Sequence, residues 1–367
     1  MTLIASLLAL PFAWTFVLYP ALSFALSRRA RERRGVVPPT ASSLPPAALI
    51  IAARNEAAVI EARIDDARRQ RYAGQLWVVV ASDGSTDGTA EVARRAGADL
   101  VVECKTHVGK SRAIEAAIDA LPPDVAVLLF TDATARWAQG SAVAMATTLM
   151  DAEVGAVSGL VRYEYPASSL ARGFSFYQRL IVAHRQHDAD WGTLTSVSGS
   201  ISGVRRTLWQ TAPAELSSDL VVPLTAARAG LKAAMVQGAV SVEVARARAS
   251  REFRSRVRMA MSAFAFARYA FAPPRPTLSA YRLQLLSHKV LRWFAPVGLP
   301  PCLALWSWHF PVAAAVVAGG ALAVVVVSLR ARSAATFAAT VAAAYAVGLV
   351  RVLLGHRPVG WDPDAQR

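Results

Sequence analysis

The chain has 367 residues, 54% of them hydrophobic, yet carries a formal net charge of +15, so the apolar residues must be gathered into blocks apart from the charge. Its two cysteines, Cys104 and Cys302, stand in unlike surroundings, which excludes a disulfide framework or a cysteine-ligated metal and suits a reducing compartment. The basic residues flank apolar stretches, which argues against a nucleic-acid binder and for anionic lipid or phosphate-bearing substrates.

Residues 2–27 carry no charge, and about 20 residues suffice for a helix to cross the roughly 30 Å hydrocarbon core. A transmembrane helix over 1–27 is expected, with Trp14 and Tyr19 near an interface. Arg28, Arg29, Arg31, Arg33 and Arg34 follow, which places this flank in the cytoplasm and the N-terminus outside. A cleaved signal peptide is the competing reading; its charged segment should precede the apolar run rather than follow it. Residues 28–46 then form a basic, Pro-rich cytoplasmic linker with Pro38, Pro39, Pro45 and Pro46.

Over 47–245 short apolar runs alternate with amphipathic stretches. Ala48–Ala52, Leu76–Ala81, Asp99–Val102 and Val125–Phe130 read as buried strands, and Glu56–Arg69, Thr89–Ala96 and Lys110–Ala120 as helices. This alternation predicts an α/β domain with a mostly parallel sheet and helices on both faces. Ligands bind at the carboxyl ends of such strands. The second strand runs into Ser82-Asp83-Gly84-Ser85-Thr86-Asp87-Gly88-Thr89, where Asp83 can accept hydrogen bonds from a base or ribose, or merely help a helix-capping turn. The strand ending at Phe130 leads to Thr131-Asp132-Ala133-Thr134, where a carboxylate suits a hard cation such as Mg²⁺ or Mn²⁺, or an Asp-initiated turn. Ser218-Asp219 opens an apolar helical run, so N-capping is the plain role for Asp219. His184 and His187 beside Asp188 and Asp190 read as a solvated helix face in preference to a metal pair.

Residues 246–291 hold a basic, partly amphipathic run through Arg254, Arg256 and Arg258, expected as interfacial helices on anionic lipid. Residues 293–329 lack Lys, Arg, Asp and Glu, with a break expected at Pro300, Pro301 and Pro311, and 333–350 is a further candidate span. About three transmembrane helices over 292–354 and a tail over 355–367 follow from this.

Taken together, these elements resemble the family-2 glycosyltransferases of GT-A fold, the membrane group related to cellulose and hyaluronan synthases. The matching pieces are Ile50-Ile51-Ala52-Ala53-Arg54-Asn55-Glu56, Asp83–Thr89, Gly109-Lys110-Ser111-Arg112-Ala113, Phe130–Thr134 and Ser218-Asp219, in order from about Ala48 to Gly230. Ser287-His288-Lys289-Val290-Leu291-Arg292 is similar to that group's membrane boundary. The resemblance implies a nucleotide-sugar pocket lined by Arg54, Glu56, Asp83, Lys110 and Asp132, with the Mg²⁺ or Mn²⁺ on Asp132. It implies Asp219 as general base, Gly199 and Ser200 beside the acceptor, and inversion at the anomeric carbon. The expected activity is transfer from a nucleotide-sugar, of UDP type, to a lipid-linked or growing glycan acceptor on the cytoplasmic face of the inner membrane, within polysaccharide biosynthesis. Polyprenyl-phosphate sugar transfer and an inactive scaffold of a polysaccharide-assembly complex stand as alternatives. Four positions depart from the family pattern: Ala52 replaces its Pro, Ser82 its first Asp and Thr134 the second Asp of D-x-D. Of Q-x-x-R-W, Ser255–Met259 keeps only Arg258, which argues against a long-chain polymerase.

Overall fold

The computed structural model describes residues 10–33, 43–164, 169–213, 216–244, 249–312, 314–315 and 329–356. An N-terminal helix, α1 (Tyr19–Arg33), continues a π-turn at Trp14–Leu18. Then β1 (Ala47–Ala53), α2 (Ile60–Arg68), β2 (Leu76–Asp83), α3 (Thr89–Arg95), β3 (Leu100–Cys104), α4 (Lys110–Asp119) and β4 (Val127–Asp132) alternate as the apolar pattern predicts. The helix expected from Glu56 starts later, at Ile60, because Val59 takes a non-helical conformation (φ −126°, ψ −16°) at its cap.

Beyond β4 the architecture is less regular. It comprises β5 (Arg136–Trp137), α5 (Ser141–Leu149), β6 (Val154–Glu164), α6 (Ser169–Trp191), β7 (Ser202–Arg205), α7 (Ser218–Arg228) and β8 (Lys232–Val244). All eight strands share one sheet in the order β3-β2-β1-β4-β7-β6-β8-β5. The expectation of a mostly parallel sheet holds for β3, β2, β1 and β4. It fails beyond them, where β7 runs antiparallel to both β4 and β6. The sheet is therefore mixed.

Every residue of β1 is buried, as a strand covered on both faces requires. Leu49 and Ile51 face one apolar cluster under α2 and α5, while Ala48 and Ile50 face a second under α4 and α7. Each buried Leu or Ile contributes roughly 1.5–3 kcal/mol, so this sandwich fixes where the strand ends emerge.

The C-terminal part contains α8 (Ala249–Phe271), α9 (Ser279–Gln284), α10 (Leu291–His309) and α11 (Leu329–Leu353). Helix α8 packs against the C-terminal helix. Phe264 and Phe266 are buried, and a Cβ at Gly348 of α11 would lie 2.7 Å from that of Ala260, so the two helices touch backbone to backbone. The break expected at Pro300 and Pro301 does not occur, since both lie within α10; the chain turns at Phe310, where the following Pro311 disfavours helical backbone. Among the described residues one helix, Leu10–Glu32, is long and apolar enough to cross a membrane, and Ala339–Leu353 is a shorter apolar helix. Three C-terminal spans and a multi-pass topology are thus unsupported: Arg330, Arg332 and Arg351 lie inside α11, and 316–328 fall outside the described residues.

The N-terminal helix is two-faced. Leu10, Phe16, Val17, Leu18 and Phe24 are exposed, whereas Thr15, Tyr19, Ser23 and Ser27, four residues apart, form a buried polar stripe. The Tyr19 and Ser23 hydroxyls donate to Asp188 at 2.7 and 2.8 Å, and Ser27 and Arg31 donate to Asp190 at 2.6 and 2.7 Å. This docks α1 on α6.

Candidate active site

The chain reverses its strand order between β2-β1 and β4, where an α/β sheet opens a crevice at its carboxyl edge. Ala52 of β1 is in register with Asp132 of β4, and Ala53 with Ser82 of β2, so Asp83 and Asp132 emerge on either side of Arg54. At about 4.8 Å per strand, their backbones stand roughly 10 Å apart.

Asp83 is buried, and its carboxylate is spent within the protein. It accepts the backbone N–H of Val108 at 2.7 Å and that of Gly109 at 3.1 Å, and meets His107 Nδ1 at 2.8 Å. This clamps the loop that delivers Lys110. The approach requires glycine at 84: its φ is +64°, and a Cβ there would lie 2.5 Å from the His107 nitrogen. On the same edge, Asn55 Oδ1 accepts the Thr86 N–H at 2.9 Å, and Asp87 accepts those of Ala57 and Thr89 at 3.0 Å each. The two motif loops are therefore knitted into one rim carrying Arg54 and Glu56.

Lys110, at the start of α4, places its Nζ 2.5 Å from Asp132 Oδ1. Burial alone lowers the Lys110 pKa, but Asp132 and Asp219 outweigh it and hold the ammonium above its ordinary value. Beneath Asp132, the buried Arg63 donates to Thr131 Oγ1 at 3.1 Å and stacks over Trp137 at 5.4 Å, propping the strand end. Because β7 runs back along β4, the residues before Ser202 lie beyond the end of β4. The Ser200 carbonyl accepts from Thr131 Oγ1 at 3.1 Å and from the Trp137 indole at 2.8 Å.

Asp219 sits in the first turn of α7, with Ser217 at the cap position, so it does not play the N-cap role its sequence context predicts. Its backbone carbonyl accepts the Val197 N–H at 2.9 Å, which pulls 196–200 against it. Burial raises the Asp219 carboxyl pKa; Lys110 and the Ser217 hydroxyl oppose this, Asp132 adds to it, and the net shift is upward.

Lys110, Asp132, Gly199, Ser200 and Asp219 all line one cleft of about 910 Å³. Arg54, Glu56 and Asp83 do not; they belong to the rim and the loop clamp next to it. The cleft also takes in residues the sequence did not single out for it: Arg185 of α6, Lys289, Trp293 of α10 and Tyr345 of α11. The sequence signal available for Lys289 was the Ser287–Arg292 segment. Arg258 lines the cleft too.

A hard cation fits Asp132: Lys110 occupies Oδ1, no hydrogen bond to Oδ2 occurs among the described residues, and the carboxylate faces the cleft. A second group, His184, Asp188 and His288, brings three ligand atoms within 4.8 Å of one another and is buried, not the solvated face that the sequence predicts. Tyr19, Ser23 and His288, the last at 2.6 Å, already hold the Asp188 carboxylate, and Lys289 and Arg292 nearby oppose a dication there.

The family model described as glycosyltransferase like family 2 matches residues 45–262. A mannosyltransferase from Pyrobaculum calidifontis, solved in complex with GDP-Man and Mn²⁺, is similar over 95% of this chain and 98% of its own, at 23% identity and TM-score 0.70. Mannosyl-3-phosphoglycerate synthase from Rubrobacter xylanophilus is similar over 68% of this chain and 80% of its own, at 18% identity and TM-score 0.42. Glucosyl-3-phosphoglycerate synthase from Mycobacterium tuberculosis, solved with phosphoglyceric acid, covers 59% of this chain and 78% of its own, at 20% identity and TM-score 0.43. Among curated protein sequences, none matches.

Proposed function

Because this chain belongs to the glycosyltransferase-like family 2, we propose that it transfers a hexosyl or N-acetylhexosaminyl unit from a nucleoside-diphosphate sugar to a lipid-linked or glycan acceptor, with inversion. The observation that carries this reading is the convergence of Asp132, Lys110 and Asp219 in one cleft. An inert scaffold has no use for a charged triad held by so many dedicated contacts.

The residues divide the work. Arg54 and Glu56 on the rim hold the nucleotide, and Lys110 presents a point charge to the diphosphate. Asp132 is the ligand for Mg²⁺ or Mn²⁺, and the Pyrobaculum calidifontis protein is described with Mn²⁺ beside GDP-Man. The metal's chemistry there is neutralisation of charge on the departing diphosphate. Asp219 takes the proton from the acceptor hydroxyl as that oxygen forms its bond to the anomeric carbon, and the bond to the diphosphate oxygen breaks on the opposite face. A raised carboxyl pKa suits a base that must pass the proton on. Gly199 lets the backbone of the 196–200 segment pack directly against the Asp219 carboxylate on the acceptor side.

The same reading places the enzyme on the cytoplasmic face of a membrane, held by the helix Leu10–Glu32 with the basic run at its cytoplasmic end. Supporting this, Trp308, Val312, Leu353 and Leu354 are highly exposed apolar residues at the ends of the C-terminal helices. Purified full-length protein in detergent, given Mn²⁺ and a panel of nucleotide-sugars, tests the activity. Release of nucleoside diphosphate from one donor, abolished by Asp219→Asn, supports it. Indifference to every donor, with or without membrane lipid extract as acceptor, refutes it.

A further inference from the structure

A buried arginine lies beneath Asp132, outside the cleft. Arg63 of α2 is 2% exposed, and burial pulls its guanidinium down to about 10 against the opposing charges of Asp66 and Asp132. Its Nε has no hydrogen-bond partner among the described residues. A charge in that position is costly, and an apolar side chain of similar volume would serve stability as well or better. Packing alone does not account for this residue.

What the guanidinium does is close a ring of hydrogen bonds. One of its nitrogens donates to Asp66 on the same helix, and another donates to Thr131 Oγ1 at 3.1 Å. Thr131 Oγ1 in turn donates to the Ser200 carbonyl at 3.1 Å. That carbonyl also accepts the Trp137 indole N–H at 2.8 Å, and the Trp137 backbone N–H returns to Asp66 at 2.9 Å. Stacking of the guanidinium on the Trp137 ring braces the same pair.

The ring joins the two sides of the cleft. Thr131 immediately precedes Asp132, and Ser200 follows Gly199, whose backbone abuts Asp219. Two donors fill the lone pairs of the Ser200 carbonyl, so that peptide is fixed against the end of β4. Arg63, Thr131 and Trp137 do not line the cleft, whereas Asp132, Gly199, Ser200 and Asp219 do. Any effect of the first three on turnover must therefore pass through the others.

We propose that Arg63 is a positioning residue: through Thr131, Trp137 and Ser200 it sets the spacing between Asp132 and Asp219. This rests on the transferase reading, in which the departing diphosphate at Asp132 and the base at Asp219 must act in line across one carbon. A misplacement of about 1 Å costs about a hundredfold in such a geometry.

The test measures kcat, donor affinity in Mn²⁺ and amide hydrogen exchange on the full chain in detergent, with a melting curve for each variant. Arg63→Met and Thr131→Val should each lower kcat about tenfold to a hundredfold, while donor affinity stays within about threefold. Thr131→Ser, which keeps the hydroxyl, should restore most of the rate. Because the members of one ring act as a unit, the double variant combining Arg63→Met with Thr131→Val should be no slower than the poorer single. Amides of 196–201 should exchange faster in Arg63→Met while those of β1 hold.

Wild-type kcat in Arg63→Met overturns the proposal, as does wild-type kcat in Thr131→Val should the arginine variant not fold. So do losses that multiply in the double variant, or a Thr131→Ser enzyme as slow as Thr131→Val. A loss of donor affinity equal to the loss in kcat also overturns it, by assigning Arg63 to donor binding. A wild type that turns over no donor refutes the transferase reading instead; unchanged exchange at 196–201 in Arg63→Met then still overturns the ring.

Discussion

A Cβ placed on Gly199 would lie 3.0 Å from Asp219 Oδ1 and 3.4 Å from Lys110 Nζ. Position 199 thus packs its backbone against the Asp219 carboxylate and the Lys110 ammonium at once, with no room for a side chain between them. Gly199→Ala should therefore lower kcat about tenfold to a hundredfold by displacing Asp219, with little change in thermal stability. Steady-state kinetics and a melting curve on the same preparation check this; a variant with unchanged kcat would show that 199 does not face the reacting atoms.

Asp219→Asn removes the proposed base while keeping the shape. Transfer should fall about 10²- to 10⁴-fold with nucleotide-sugar affinity retained, since the donor is held by other residues. Separate measurement of donor binding and turnover distinguishes this from a misfolded variant.

The upward shift of Asp219 fixes the sign of a pH effect. A carboxyl held above its ordinary value is protonated, and useless as a base, at a pH where a free Asp is still ionised. On acidification kcat should fall earlier than the ordinary carboxylate range dictates. The residual rate of Asp219→Asn should lack that limb. A wild-type profile flat down to about pH 4 contradicts the assignment.

Lys110→Met leaves Asp132 and Asp219 facing one another without the ammonium between them. Donor affinity should drop about tenfold or more through loss of the charge-assisted contact, and Lys110→Arg should recover only part of it, because a planar fork does not reproduce a point charge.

Asp188→Ala removes an acceptor shared by Tyr19, Ser23 and His288. Leaving buried donors orphaned costs about 1–3 kcal/mol, so the melting temperature in detergent should fall by several degrees while donor affinity holds. An unchanged melting temperature would mean that the α1–α6 contact adds nothing to stability.

The first half of the domain was legible in the sequence because its signals are local. Buried parallel strands read as apolar runs, and the turn after β2 and the residues before α4 are spelled by Gly84, Asp87, Gly88 and Gly109, all within one motif each. What came later was not legible, because it depends on long-range pairing. Nothing local in Ser202–Arg205 announces that it runs antiparallel to β4 and so carries Gly199 and Ser200 to Asp132. Asp83 looked like a ligand residue at a strand tip, yet its carboxylate holds the 107–109 loop, a partner 25 residues away that spacing does not reveal. His184 and Asp188 looked like a solvated face because the helix that covers them lies some 165 residues away in the sequence. Arg185 escaped notice, and Lys289 was read only within the Ser287–Arg292 segment, because their shared contact with Ser196 joins residues distant in the sequence.

The most direct test of the central claim is equilibrium binding of GDP-mannose and UDP-glucose to the full-length wild type, Asp132→Ala and Asp219→Asn proteins, with and without Mn²⁺. The account predicts Mn²⁺-dependent binding of a nucleotide-sugar by the wild type and Asp219→Asn, and loss of that dependence in Asp132→Ala. Binding by Asp132→Ala as tight and as Mn²⁺-dependent as the wild type would contradict it.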